Sequence, residues 1–296
     1  MKKILITGQS SYIGTSIQAY IGEHCKDWKV DTASVRNEAW KDIDFGSYDC
    51  VLHMAGKAHA DVGHVSKDVK REYYEVNYEL TKEVAKQAKK AGVKQFIYPG
   101  SVIVYGESAP YGTEKRITAD TKPDPANFYG DSKWRADEAV QKLNSENFKT
   151  VVLRLPMVYG KGSKGNYPQL SKIAKKIPIF PNVSNTRSMI YIENLCEFIC
   201  EIIEYEDGGV FFPQNEEYTS TAQMVKTIAE SADRRIILTK ALNPIVWLMS
   251  KMPGKIGRLV NKAFGNCTYE KSLSDYRGNR YQVYNFKDSI RRTEGQ

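Results

Sequence analysis

A phenol and an ammonium stand four residues apart in Tyr129-Gly130-Asp131-Ser132-Lys133, which on a helix puts them on one face, one turn apart. A nearby cation favours the phenolate, drawing a tyrosine pKa from about 10 toward neutrality and making the group usable for proton transfer. That chemistry suits oxidising an alcohol or reducing a ketone. A second hydroxyl lies upstream in Gly100-Ser101-Val102-Ile103-Val104-Tyr105-Gly106, directly after the strand-like Phe96-Ile97-Tyr98. A serine at the carboxyl end of a parallel strand faces the crevice where ligands of such sheets bind, so Ser101 is placed to hold the reacting oxygen. Alone, the tyrosine and lysine would equally suit a surface helix; the other motifs decide the reading.

Redox chemistry at carbon needs a hydride carrier, and the chain opens on a place for one. An apolar strand ends in Thr7-Gly8-Gln9-Ser10-Ser11-Tyr12-Ile13-Gly14 and a helix follows at once. Small residues at such a turn let the backbone approach a pyrophosphate, which then sits among unpaired N–H groups at the helix N-terminus. Gly8, Ser10, Ser11, Tyr12, Ile13 and Gly14 are the expected contacts, with Ser11 standing where the dinucleotide fingerprint has its middle glycine. About 20 residues beyond the last glycine an acidic residue would hold the adenosine ribose and select NAD. Here the chain has Ser34-Val35-Arg36, and a guanidinium suits a ribose 2′-phosphate, so the pattern predicts that NADP(H) is accepted. Asp31 is the rival, serving NAD if the second strand ends early.

Strand-like and helix-like segments alternate through the first two thirds: strands near 3–7, 29–35, 50–54, 95–98 and 150–155, helices near 13–22, 69–91 and 132–143. This is the pattern of an α/β, Rossmann-type doubly wound parallel sheet covered on both faces. Beyond Tyr159 the chain loosens into Gly- and Lys-rich loop sequence, and a helix at 193–203 with a strand at 209–212 reads as a return to the sheet. The predicted dinucleotide-binding domain is 1–160 with 189–212. A smaller α+β substrate domain is built from 161–188 and 213–296. Within it, 244–264 mixes Trp247, Leu248, Met249, Ile256, Leu259 and Val260 with Lys251, Lys255, Arg258 and Lys262. It reads as an amphipathic helix packed on its own domain, with peripheral membrane contact as the rarer alternative.

The 296 residues, 41 % hydrophobic, can build an ordinary core. No window approaches the roughly 20 apolar residues of a membrane span, and with no charged leader before the first strand the expected location is cytoplasmic. Five cysteines without metal-ligand spacing read as buried thiols, and no metal site is expected. The net charge of +8 comes without a nucleic-acid-binding motif, so nucleic acid is not an expected partner. His59 and His64 read as a polar loop and His53 as the end of a buried strand.

Gly8 to Gly14, His53-Met54-Ala55-Gly56, Asn77, Ser101 with Val104-Tyr105-Gly106, Tyr129 with Lys133, and Arg154-Leu155-Pro156-Met157-Val158-Tyr159-Gly160 resemble, in order and spacing, the extended short-chain dehydrogenase/reductases. More narrowly the chain is similar to the NAD-dependent epimerase/dehydratase branch that acts on nucleotide sugars. The resemblance covers about residues 1–220. It implies an NAD or NADP cofactor, Tyr129 as general acid/base, Lys133 on the nicotinamide ribose and Ser101 on the sugar oxygen. It further implies Met54, Ala55, Gly56, Lys57 and Pro156 along the cofactor, Asp42 and Ile43 near the adenine, and Asn77 as a structural group. Met157, Asn166 and Arg187 are implied on the substrate, the arginine at its diphosphate, and a homodimer through the helices around Lys82 and Asp137. The 4,6-dehydratases of this branch carry an acid pair where this chain has Val102 and Ile103, so dehydration is not expected. Two reactions stay open: 4-epimerisation of a UDP-hexose, foremost a UDP-N-acetylhexosamine for surface polysaccharide, or NADPH-dependent 4-keto-sugar reduction. A non-catalytic NAD(P)-binding regulator is a third reading, disfavoured because such proteins lack the tyrosine and lysine pair.

Overall fold

The computed structural model describes residues 1–57 and 65–295; His59 and His64 lie outside the described residues. The chain divides into two compact units. The first comprises Met1–Gly106, Lys122–Leu155 and Leu195–Pro213. Its strands are β1 (Lys3–Thr7), β2 (Lys29–Ala33), β3 (Cys50–His53), β4 (Gln95–Ser101), β6 (Lys149–Leu155) and β10 (Gly209–Phe211). They form one six-stranded sheet in the order β10-β6-β4-β3-β1-β2, and every pairing is parallel. The order runs outward from β1 in both directions, as a doubly wound sheet requires. Helix α1 (Tyr12–His24) and α4 (Phe128–Gln141) belong to this unit, as does most of α6 (Ile192–Glu204). Strand residues such as Ile4, Leu5, Val51, Leu52, Ile97 and Val152 are fully buried, the continuous apolar reading of strands covered on both faces.

The expected single helix over 69–91 is broken into α2 (Lys67–Tyr74), a π-helical turn (Glu75–Glu79) and α3 (Leu80–Lys90). The wider turn surrounds Asn77, a fully buried amide whose bonds appear below; such turns recur at functional sites. Strand β4 runs on through Pro99 to Ser101, past the expected end at Tyr98. Its pairing with β3 has already ended at Ile97, so the missing proline N–H removes no bond on that side.

The second unit comprises Glu107–Thr121, Pro156–Asn194 and Gln214–Gln296. Three two-stranded parallel pairs shape it: β5 (Arg116–Ile117) with β12 (Thr268–Tyr269), β7 (Met157–Tyr159) with β9 (Met189–Tyr191), and β8 (Ile179–Pro181) with β11 (Ile237–Thr239). Its helices are α5 (Asn166–Ala174), α7 (Thr221–Ser231), α8 (Asn243–Ser250), α9 (Lys255–Phe264) and α10 (Phe286–Glu294). The expected boundaries put 107–121, 156–160 and 189–194 with the sheet; the contacts group them with the second unit. The reason is pairing at long range, since β5 meets β12 and β7 meets β9. The segment 244–264 is two helices rather than the expected one; each buries part of one face in its own unit and leaves much of its apolar surface exposed. No helix among the described residues is long and apolar enough to cross a membrane.

Candidate active site

The turn after β1 is held by a close approach. Gly8 has φ +89°, and a Cβ there would lie 2.4 Å from the Ala55 nitrogen, so only glycine fits. Gly14 faces Ile6 and Met54, each 3.4 Å from where its Cβ would be. Ser11 is the N-cap of α1, its Oγ accepting the Gly14 N–H at 3.2 Å. That explains a serine at the middle position: the hydroxyl satisfies one of the open amides of the first turn. Ser10 is exposed and its Oγ accepts from Arg36 Nη2 at 3.2 Å. The Ser34 hydroxyl accepts the Arg36 N–H at 3.4 Å, so Ser10, Ser34 and Arg36 are brought together. Asp31, the rival, sits mid-strand opposite Leu5, with its carboxylate accepting from Tyr48 at 3.1 Å and 3.4 Å from the Lys29 ammonium. Asp42, exposed, ends a short helical turn, and Ile43, partly buried, packs against the hydrophobic core.

Beyond β3, Met54 is buried, Ala55 half-buried and Gly56 exposed. A Cβ on Gly56 would stand 3.3 Å from Lys133 Nζ and 3.4 Å from Asn77 Oδ1, so this loop passes directly over the lysine. Asn77 fastens it: its Oδ1 accepts the Lys57 N–H at 2.7 Å, and its Nδ2 donates to Lys57 O and to Ser132 Oγ, both at 3.1 Å. The Lys57 ammonium turns away to Glu72 and lies 5.0 Å above the Tyr73 ring. His53 ends β3, fully buried between the Thr7 and Thr81 hydroxyls, and burial, with the Lys133 charge second, pushes its pKa down to about 3. It is a neutral structural group.

Tyr129 and Lys133 lie on α4, which begins at Phe128, four residues before the expected start. Asn127 sets that start, its Oδ1 accepting the Gly130 N–H at 3.0 Å. Gly130 admits no side chain without crowding Ile103 O at 3.0 Å and Pro125. Ser101, the last residue of β4, accepts the Ile103 N–H at 3.3 Å and stands within hydrogen-bond reach of the Tyr129 phenol. Tyr73 packs edge-on against Tyr129, ring centres 5.8 Å apart. Lys133 is buried; its Nζ donates to Pro99 O at 3.3 Å and lies 4.9 Å over the Tyr98 ring. Ser101 thus sits beside the Tyr129 phenol and Lys133 lies one helical turn further along α4, but the electrostatics differ from the expectation. Burial, then the neighbouring Tyr73, raises the Tyr129 pKa to about 12 against the lowering by Ser101, and burial lowers Lys133 to about 8. The ammonium is directed at the Pro99 carbonyl and does not draw the phenol toward neutrality.

Compared with known proteins, residues 4–212 match the model of the NAD dependent epimerase/dehydratase family. The chain belongs to that family. A UDP-glucose 4-epimerase from Vibrio cholerae is 29 % identical over 260 residues, 79 % of this chain and 76 % of the relative. An N-acetyl-α-D-glucosaminyl-diphospho-ditrans,octacis-undecaprenol 4-epimerase from Escherichia coli O157:H7 is 28 % identical over 254 residues, 79 % and 73 % of the two chains. Among solved structures, dTDP-4-dehydrorhamnose reductase from Bacillus anthracis in complex with NADP superposes with a TM-score of 0.72 at 16 % identity, covering 99 % and 98 %. At that identity the likeness is one of fold.

The remaining residues that the family resemblance singled out lie in the second unit. Pro156 and Met157 lead into β7, and Asn166 opens α5, whose first turn has no side-chain cap. Arg187 is held between Thr219 and Cys267 by backbone bridges. Its Nη1 donates to Lys262 O at 2.5 Å and its Nη2 to Ser108 Oγ at 3.2 Å. No carboxylate pairs with it among the described residues, and burial lowers its pKa. It is not the freely solvated surface arginine that would carry no function. Sequence reasoning missed Tyr73, Ser132, Ser108 and the Lys262 carbonyl as partners of these groups, because each arrives from a distant segment with no local motif.

Proposed function

We propose that this chain is an NAD(P)-dependent enzyme acting at C4 of the hexose of a nucleotide-diphosphate sugar, foremost as a 4-epimerase of a UDP-N-acetylhexosamine for surface polysaccharide. The observation that carries the reading is Ser101 beside the Tyr129 phenol, with Lys133 one turn along the same helix and 3.3 Å from where a Gly56 Cβ would stand. The residues fit a dinucleotide: a glycine-forced turn at a capped helix start, an arginine poised over Ser10, and a buried ammonium against Gly56. When bound, the nicotinamide supplies the hydride chemistry. The chain's own part is proton handling. With a pKa near 12, the Tyr129 phenol is protonated at neutral pH and is ready to give its proton to the C4 oxygen of a keto sugar. In the reverse direction it takes the hydroxyl proton, with Ser101 holding that oxygen in line. Lys133, largely protonated at pH 7 with a pKa near 8, would hold the nicotinamide ribose through its ammonium. Arg187 and Asn166 serve the diphosphate, an unpaired guanidinium being suited to phosphate oxygens. Val102 and Ile103 cannot transfer protons, which argues against dehydration.

Incubating the protein with UDP-N-acetylglucosamine tests this: interconversion with the galacto epimer is expected without a consumed cofactor, and Tyr129→Phe should lower turnover by about 10²- to 10⁴-fold. Unchanged turnover in that variant would leave the regulator reading. A second reading, NADPH-dependent 4-ketoreduction, is favoured by the Arg36 contact with Ser10, which prepares a site for a 2′-phosphate. It expects inertness toward the UDP-sugar alone and NADPH oxidation by the 4-keto sugar. On the Arg36 geometry the chain binds NADPH at least as well as NADH, and tighter NADH binding in a titration of apoprotein would refute that part.

A further inference from the structure

Between Arg234 and Tyr269 the chain carries seven lysines and arginines and no aspartate or glutamate, and this stretch holds α8 and α9. Helix α8 turns only Val246 and Ser250 inward. Ile245, Trp247 and Leu248 are each more than half exposed, with Met249 and Met252 beside them. Helix α9 buries Gly257, Val260 and Phe264, three and four residues apart, and leaves Ile256 and Leu259 outside. The two helices are fixed against each other. A Cβ at Gly257 would lie 2.0 Å from Met252 O, and Asn261 Nδ2 donates to Ser250 O at 3.0 Å. The apolar side chains are thus presented on an ordered frame. Lys251, Lys255, Arg258 and Lys262 surround them, exposed and in no ion pair among the described residues.

We propose that the α8–α9 hairpin docks this protein on an anionic lipid bilayer. Trp, Leu, Ile and Met side chains on one flank would enter the headgroup and acyl boundary, while lysines and arginines on the next flank meet lipid phosphates. The charge pattern selects this occupant. A second copy of the chain would bring the same uniformly positive surface against itself, which is repulsive. Nucleic acid would use the cations and leave the large apolar patch uncovered. The inference does not depend on the sugar chemistry, and it survives if Tyr129 proves non-catalytic.

Flotation of the full chain with vesicles tests it, using phosphatidylcholine with and without about a third phosphatidylglycerol. The chain is expected to float with the anionic vesicles and not the neutral ones. A blue shift of tryptophan emission should accompany binding and be absent in Trp247→Ser. High salt should weaken binding. Lys255→Glu with Arg258→Glu should lower partitioning about tenfold or more, and Trp247→Ser with Leu248→Ser should remove the remainder. These positions are exposed, and unchanged melting and NADPH titration would show that the variants keep the fold. Lys262 is left intact because its carbonyl holds Arg187. No flotation at low salt, or flotation undiminished in both variants, overturns the proposal. So does a dimer that dissociates in the Trp247→Ser, Leu248→Ser variant without vesicle binding, which would show that a second copy covers the face.

Discussion

Two arginines, one buried in the first unit and one half-buried in the second, are partnered in opposite ways. Arg154, in β6, is buried and forms a two-pronged pair with Asp137 of α4, Nε to Oδ2 at 2.8 Å and Nη2 to Oδ1 at 3.1 Å. Its Nη1 donates to the Tyr105 hydroxyl at 2.5 Å, and the Tyr105, Trp134 and Phe212 rings lie 5.3, 5.3 and 5.7 Å from the guanidinium carbon. The chain supplies its counter-charge and covers its faces. Among the described residues Arg187 has a carbonyl and a hydroxyl for side-chain partners and no acid. A cation desolvated together with its anion is architecture; a cation desolvated alone costs stability and is tolerated where something else brings the negative charge. Lys133 belongs with Arg187: buried, held by one carbonyl, with no carboxylate.

The largest effect should come from breaking the closed pair. Asp137→Ala strands the Arg154 charge in the core and is expected to cost about 3–5 kcal/mol, because an uncompensated buried ion is worse than none. Denaturant melts measure it. Replacing both partners, Asp137→Leu with Arg154→Met, should recover much of that loss. A single variant within about 1 kcal/mol of the parent would mean that water already reaches the pair and that the contrast between the two arginines is void.

The open arginine should answer differently. In Arg187→Met the melting point should hold or rise slightly, since a desolvated charge is removed, while KM for the nucleotide sugar rises about 10- to 100-fold, the worth of a charged hydrogen bond. Turnover at saturation should change little. Loss of stability with KM unmoved would class Arg187 with Arg154 as architecture.

The contrast was only half visible in the sequence. The first-unit groups are announced by short-range motifs: a glycine turn after a strand, a serine at a strand end, a tyrosine and lysine one turn apart. Their positions follow from local pattern because a parallel sheet delivers every strand end to the same edge. Helix α4 starts four residues before the expected Ser132 because Asn127 caps it, and the Phe-Tyr-Gly that follows the cap carries no charge, the first acidic residue being Asp131. The π-helical turn left no trace in the apolar spacing, as its cause is a single amide bonding to a loop twenty residues away. In the second unit the pairs β5–β12 and β7–β9 join remote segments, so nothing near Arg187 signals that Ser108 and the Lys262 carbonyl will hold it. The Tyr129 pKa departs from the sequence expectation for a related reason: spacing shows that a cation is near, but not that a carbonyl of β4 will claim it.

Lys133 gives the finest test, because its behaviour can be followed with pH. Burial lowers its pKa from 10.5 to about 8. Below pH 8 the folded chain holds a desolvated ammonium that the unfolded chain leaves in water. Between about 8 and 10.5 the folded form has lost the proton and the unfolded form has not, so this group's destabilising effect fades as pH rises through that window. Lys133→Met removes the charge, and it should therefore stabilise the protein by about 3 kcal/mol at pH 7. The gain should shrink from pH 8 upward and vanish above 10.5, where neither state carries the charge. Turnover should fall about 100-fold in the same variant, a stability gain bought by losing function. A gain independent of pH would show that the extra stability comes from methionine packing, and Lys133 would then no longer stand beside Arg187 as a cation kept for a ligand.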